Sequence, residues 1–225
     1  MVGKSGEGTI EMAKTDIHTV YKLKSGQRVP SVTTVLGILN KPALLNWAWQ
    51  CGIEDKDYKA VRDNAADIGT LAHLMAIGFL AGKEVDTSEY SKQDIETAEN
   101  CCLSFWEWSK VHKVDIVFCE KPLISELYKF GGTIDFYGSL DGEPTLLDIK
   151  TGKAIYDEMI YQVAAYYYLL RENAYPVKHI RIIRVSKTAN ETYEDRFIPQ
   201  RTIELGYKVF LNCLDIYNIQ RLLKH

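Results

Sequence analysis

The chain has 225 residues, of which 46% are hydrophobic and 25% charged, and its net charge is −3. That size allows one large domain or one core with a helical addition, and the composition excludes a chain that is mostly disordered; only the Gly- and Lys-containing start, 1–8, reads as disordered. A net acidic balance leaves nucleic-acid binding open, because a local basic stripe suffices for it and an acidic metal centre lowers the total.

Five cysteines, Cys51, Cys101, Cys102, Cys119 and Cys213, form no CxxC pair. They read as free or buried thiols in a reducing compartment, and they are too scattered for a zinc or iron–sulfur site. Cys101 and Cys102 are adjacent, so on a helix they point to different faces and chelate poorly. No apolar signal segment opens the sequence, and its first arginine is Arg28. The apolar runs read as too short to span a bilayer. A soluble, cytoplasmic protein is expected.

In chain order, 18–23 alternates weakly and meets a turn signal at Ser25-Gly26-Gln27, and 28–32 is expected to return as a second short strand. Ser31, Thr33 or Thr34 then caps a helix through Leu39. Pro42 suits the first turn of another, through about Cys51. Long helices follow over about 58–80 and 88–112, the second with Ile95, Ala98, Cys102, Phe105 and Trp106 near a 3.6-residue period. After Lys113 the texture changes. Strands are expected at 115–119, 123–127, 132–140 and 145–150, with the last two joined around Gly142. A helix at about 156–173, strands at 178–186 and 192–198, and a helix at about 203–223 complete the chain. The reading is a mainly helical N-terminal region, 1–113, and an α/β core of order β-β-β-α-β, 114–225, in one compact unit.

The segments that carry chemistry are Gly131-Gly132-Thr133-Ile134-Asp135-Phe136 and Leu146-Leu147-Asp148-Ile149-Lys150-Thr151-Gly152-Lys153. Asp148 and Lys150 are two apart on a strand, so they share a face, and Ile149 turns into the core. Asp135 lies on the preceding strand across the hairpin. Strands run about 4.8 Å apart, so facing carboxylates can share one cation. Two carboxylates and a lysine on an apolar sheet are costly without compensation. A Mg²⁺ or Mn²⁺ ion compensates them and assists phosphodiester hydrolysis, with the lysine stabilising developing negative charge. Asp-x-Lys alone is common and is most often an exposed salt bridge; the Gly-Thr-Ile-Asp strand beside it makes the difference.

These segments resemble the PD-(D/E)xK nuclease superfamily in its RecB-like branch, and more narrowly the phage exonucleases related to the mitochondrial genome maintenance exonuclease. The resemblance spans about 29–168. It implies a restriction-endonuclease-like core, a mixed central sheet flanked by helices, with Asp135 and Asp148 as metal ligands and Lys150 as the catalytic lysine. The carbonyl of Ile149 becomes a further ligand. Gly69-Thr70-Leu71-Ala72-His73 resembles the branch's upstream helix motif, whose histidine ligates metal; alone, His73 reads as a plain helix histidine. Gln162 and Tyr166 resemble its Q-x-x-x-Y motif, and their i,i+4 spacing puts both on one helix face. Pro30-Ser31-Val32-Thr33-Thr34 and Lys41-Pro42-Ala43-Leu44-Leu45-Asn46-Trp47 resemble the N-terminal signature, which brings Ser31 and Thr33 toward the site. The resemblance also implies N-terminal helices arched over the site, admitting a single-stranded end.

Some relatives hold an iron–sulfur cluster on a C-terminal cysteine triplet; here only Cys213 lies in that region, so no cluster is expected. No GxxxxGK[ST] loop occurs, so no nucleotide cofactor or ATP-driven motor is expected. For DNA contact, Lys153 and Thr151 follow the motif directly. Lys178, Arg181, Arg184 and Lys187 read equally well as a phosphate-contacting run or a solvated strand face. Trp47, Trp49, Trp106 and Trp108 read mainly as core, with base stacking as the alternative. Glu120 reads as an ordinary strand-end glutamate more readily than as a metal-adjacent carboxylate. Together these point to a metal-dependent exonuclease acting on single-stranded DNA ends, with no membrane contact and with recombination or replication proteins as conceivable partners. The rivals are a structure-specific endonuclease on the same site and a non-catalytic DNA-binding protein of the same fold.

Overall fold

A computed structural model describes residues 19–189 and 192–224; the start at 1–8 and His18 lie outside the described residues. Among the described residues, the five helices and five strands after Lys41 follow the expected order except that two expected strands are one, and the elements are α1 (Val32–Leu36), α2 (Pro42–Ile53), α3 (Tyr58–Ala81), α4 (Lys92–Ser109), β1 (Val114–Ser125), β2 (Phe130–Leu140), β3 (Glu143–Lys150), α5 (Asp157–Glu172), β4 (His179–Arg184), β5 (Glu194–Phe197) and α6 (Gln200–Leu222). The strands form one mixed sheet in the order β1-β2-β3-β4-β5. The first three make an antiparallel meander. The chain then crosses over through α5 and returns as β4, parallel to β3, and β5 closes the far edge antiparallel to β4. This is the α/β class expected, a mixed sheet flanked by helices with helices preceding it.

Each sheet face carries its own core. On one, Leu146, Ile180 and Ile182 pack with Val35 of α1, Val163 and Leu170 of α5, and Phe210 of α6. On the other, Leu147, Ile149 and Ile183 pack with Leu71 and Ile77 of α3 and Phe105 and Trp108 of α4. β3 and β4 are covered on both faces, so Leu146 and Leu147 on β3, and Ile182 and Ile183 on β4, are buried in succession where a half-exposed strand would alternate.

Three expectations change. The two strands foreseen at 115–119 and 123–127 are one strand, β1. Lys121-Pro122 looks like a break, but β1 is a sheet edge, where a proline's missing N–H faces no partner. The N-terminal hairpin is only a single bridge, Lys22 to Arg28, closed by backbone hydrogen bonds from Leu23 to Gln27 and from Val29 to Tyr21, with Tyr21 and Leu23 buried. The cap of α1 is Ser31, whose hydroxyl accepts from the Thr34 N–H at 2.9 Å, and the helix stops at Leu36 instead of Leu39.

The statement that no stretch is long enough to span a bilayer also needs correction. α3 has 24 residues and contains an 18-residue stretch of mean hydropathy 1.2, so it passes on length and composition. Its apolar character has a local cause: Leu71, Ala72, Ala76 and Ile77 are packed into the second core.

Candidate active site

The site forms where β2 and β3 part. Their ladder runs from Leu140↔Glu143 to Phe136↔Leu147, and Asp135 and Asp148 stand one step beyond that last pair. On the other side of β2, Cys119 pairs with Phe136 and Lys121 with Ile134, so Glu120 faces Asp135. Three acidic residues therefore lie in a row across three adjacent strands. Glu120 holds a left-handed backbone, φ 49°, a conformation that side-chain-bearing residues adopt at a cost.

Successive strand residues turn their backbone groups to opposite edges. Lys150 faces β4, its carbonyl accepting from the Val185 N–H at 2.8 Å. Ile149 thus faces the widening gap toward β2, where the ladder has no partner for it. Two side chains fill that need. The Ile149 N–H donates to Asp135 Oδ2 at 3.2 Å, and its carbonyl accepts from His73 Nε2 at 2.7 Å. A carbonyl cannot donate, so the His73 proton sits on Nε2 and the Nδ1 lone pair points elsewhere. It points at the carboxylates: Nδ1 is 3.7 Å from Asp135 and 3.8 Å from Glu120. One ligating atom each from His73, Glu120 and Asp135 lie within 4.8 Å of one another. They border a recess of about 120 Å³ that Thr70 and Leu74 complete. That is room for a cation and a few waters, at about 30 Å³ per water.

Asp148 is fully buried, at 0% exposure. Its Oδ2 lies 2.7 Å from Lys150 Nζ in a buried ion pair, and its Oδ1 has no hydrogen-bond partner among the described residues. A buried carboxylate normally accepts several. Burial, opposed by the Lys150 ammonium and reinforced by Asp135, pushes the Asp148 carboxyl up to about 6. Asp135 is raised too, by burial, against the pull of His73 and Lys150. Burial works against the charged forms of His73 and Lys150, but the facing carboxylates outweigh it and raise both. Such a set is short of positive charge. Its donors, hard oxygens with one imidazole and an unsatisfied buried carboxylate, fit Mg²⁺ or Mn²⁺.

The glycines of the motif have a steric reason. A Cβ on Gly132 would lie 2.5 Å from the Tyr166 ring, and one on Gly131 would overlap Tyr21. Tyr21 is in turn hydrogen-bonded to the Thr133 hydroxyl at 2.8 Å. Tyr166 is buried behind the row, its hydroxyl accepting from Gln162 Nε2 at 2.8 Å. Burial, then Asp135 and Asp148, hold that phenol well above its usual range, so it stays neutral.

The structure thus brings together Asp135, Asp148, Lys150, His73 and the Ile149 carbonyl, with Gln162 and Tyr166 at their back. In this geometry the Ile149 carbonyl is engaged by His73. Thr151 approaches Gly69 of α3, whose added Cβ would stand 3.3 Å from its hydroxyl. Ser31 is occupied in capping α1 and in bonding Thr33 and Thr34, and its backbone bridges to Gly131. Lys153 stands apart, in a groove beside α2.

Glu120, read from the sequence as an ordinary strand-end glutamate more readily than as a metal-adjacent carboxylate, stands with His73 and Asp135. The signal was a carboxylate on β1, but its register against Asp135 depends on β1 being continuous through Pro122. The basic run dissolves: Lys178 pairs with Glu143, Arg181 with Asp195 and Arg184 with Glu194, and Lys187 donates to the Ala65 carbonyl. Antiparallel pairing of β5 with β4 supplies two of those acids. Of the tryptophans, Trp108 is core, whereas Trp49 is 69% exposed.

No family model matches the sequence, and no curated protein matches it. Among solved structures the chain is similar to a crystal structure of a candidate exonuclease from Eubacterium rectale, at 12% identity and a TM-score of 0.47, over 70% of this chain and 66% of that one. The chain therefore spans just under two thirds of that structure's length. At that identity and overlap the likeness decides nothing about chemistry, which rests on the side chains above.

Proposed function

We propose that this protein is a divalent-cation-dependent deoxyribonuclease of the RecB-like PD-(D/E)xK type. It acts as an exonuclease on single-stranded DNA ends, in the cytoplasm, in phage or bacterial replication, recombination or repair. The observation that carries the reading is the row Glu120–Asp135–Asp148, with His73 and Lys150 beside it and buried Asp148 paired only through its Oδ2, to Lys150, among the described residues. A structural carboxylate at that depth is normally hydrogen-bonded; one left open, among other acids, suits a cation. Mg²⁺ or Mn²⁺ bound there supplies Lewis-acid polarisation of a phosphate and an acidified water.

The chain's own groups do the rest. Glu120, Asp135, Asp148 and His73 Nδ1 supply the ligating atoms. Lys150, held cationic by Asp148 and Asp135, stabilises charge gathering on the phosphate oxygens. Neutral Tyr166 closes the back of the row against water. The His73–Ile149 hydrogen bond fixes the imidazole tautomer, as partners of metal-ligating histidines do.

End-labelled linear and circular single-stranded DNA, incubated with the protein and Mn²⁺, test this reading. Linear strands are expected to shorten while circles persist. Asp148→Ala and Lys150→Ala are each expected to lose on the order of 10²–10³-fold in rate. Circles cut as fast as linear strands would remove the exonuclease assignment. Undiminished activity in either variant would remove the site.

A further inference from the structure

The last helix, α6, is apolar on two opposite faces. Ile203, Tyr207, Phe210 and Leu214 are buried in the first core. Two positions beyond them stand Leu205, Val209, Asn212 and Ile216, and two positions turn a helix by about 200°. Ile219 and Leu223 continue that outer line. Val209 is half-buried; the other four apolar residues are exposed, from 48% at Ile216 to 81% at Leu223, and so is Asn212. Their spacing alternates between four residues and three. That is the narrow seam of a coiled coil, and not the scatter of ordinary surface hydrophobics. Lys208 and Asp215 border it on one side and Gln220 on the other, all exposed.

Another helix is what matches such a seam, and Asn212 narrows the choice of helix. Covered in the middle of the seam, its amide needs a polar partner from across the interface. In a parallel two-fold alignment each seam residue meets its own counterpart, so Asn212 meets Asn212, an arrangement that fixes register in coiled coils. The rim charges agree. In that alignment Asp215 of each copy faces Gln220 of the other. Reversing one helix with every layer kept sets Asn212 against Ile216 and Asp215 against Asp215. The area suffices as well. From Leu205 to Leu223 the seam is about 27 Å long. Covered by a second helix, it removes on the order of 1,000 Å² from water over both copies, the lower limit for a specific interface. The inner face already holds α6 helical, so pairing adds no nucleation cost. We infer that this protein pairs with a second copy of itself through α6, the two helices parallel and Asn212 facing Asn212. The inference is independent of the nuclease reading, whose residues lie on other elements.

Sedimentation equilibrium on the whole chain, without metal or DNA, is the test. The mass is expected to pass from that of one chain to that of two over roughly 1–100 µM, the range for an interface near the lower size limit. Ile216→Lys and Ile219→Lys each put unpaired ammonium groups into the seam and are expected to weaken pairing about a hundredfold. Their circular dichroism is expected to stay that of wild type, because both positions are exposed in the single chain. Leu103→Lys makes the same chemical change on the exposed side of α4 and is expected to leave pairing at the wild-type value. Asn212→Cys, oxidised, is expected to run as a disulfide-linked dimer on a non-reducing gel where wild type runs as a single chain. Wild type that stays single throughout that concentration range, or folded lysine variants of the seam that pair as tightly as wild type, would overturn the inference. An Asn212→Cys protein that pairs without cross-linking would overturn the parallel alignment.

Discussion

Two acidic residues on opposite sides of β4, Asp148 and Asp195, are both taken out of water, and they are treated in opposite ways. Asp195 joins a filled network: its Oδ2 accepts from Trp108 Nε1 at 2.9 Å and from Arg181 at 2.6 Å, with His112 Nε2 3.7 Å away. His112 in turn holds Asp141 at the β2–β3 turn, at 2.7 Å. Among the described residues of this network, Asp195 Oδ1 and Arg181 Nε remain over. Asp148 has one ion-pair partner, the Lys150 ammonium at 2.7 Å from Oδ2, and its Oδ1 has no hydrogen-bond partner among the described residues. The first carboxylate ties α4, β4 and β5 together. The second destabilises the cation-free fold in exchange for a place where positive charge is wanted, as functional sites commonly do.

The widest separation between the two is expected in activity. Asp148→Asn should abolish Mn²⁺-dependent digestion to within a few thousandths of wild type, on the order of 10²–10³-fold, whereas Asp195→Asn should retain most of its activity per folded molecule. Equal losses in a single-turnover assay would erase the distinction. Stability should invert the ranking. Asp195→Ala strands the Arg181 guanidinium and the Trp108 N–H, at a cost of about 3 kcal/mol, read by urea denaturation in EDTA. Asp148→Asn should cost less than that in the same buffer, because removing the charge also removes the desolvation penalty of a fully buried carboxylate, which offsets the loss of the Lys150 ion pair.

Backbone strain sharpens the comparison. Glu120 and Ala174 both hold left-handed backbones, at φ 49° and 64°, but only Glu120 faces the row. Glycine at either position should relieve about 1 kcal/mol of strain. Ala174→Gly should raise the melting temperature with Mn²⁺ affinity intact; Glu120→Gly should raise it while weakening Mn²⁺ about tenfold by calorimetry, as loss of a ligand-shell residue does. Intact Mn²⁺ binding in Glu120→Gly would return Glu120 to the surface.

The smallest effect is in pH. The folded Asp148 carboxyl, at about 6, lies above its unfolded value near 4. The folded state therefore holds an extra proton in that window. Its stabilising effect is complete below about pH 4 and is lost as pH rises through about 6. Cation-free wild type, measured against Asp148→Asn at each pH, should lose stability across that interval, and Mn²⁺ should remove the trend at the upper end. A flat difference would mean that Asp148 is not desolvated.

Much of the molecule is legible locally. The Asp148–Lys150 pair on one face of β3 and the turn at Gly142 follow from a two-residue period and turn chemistry, and so does the placement of Asp135 across the hairpin. The i,i+4 relation of Gln162 and Tyr166 follows from the helical repeat. Other features need contacts between distant segments. Whether β1 is one strand or two depends on its being a sheet edge, and Glu120's place depends on that. The basic run reads as free charge until β5 brings its acids alongside.

What the sequence determined by itself was the set of periodic elements and the chemistry they carry, because side-chain direction along a helix or strand is set by local backbone geometry. Only the tertiary structure decided that β2 and β3 diverge after Phe136 and Leu147. That divergence leaves the Ile149 backbone to be satisfied by Asp135 and His73, the latter 76 residues away. It also decided that Asp148 is dry. Burial and the need to pair every backbone group are properties of the packed whole, and no short window of residues contains them.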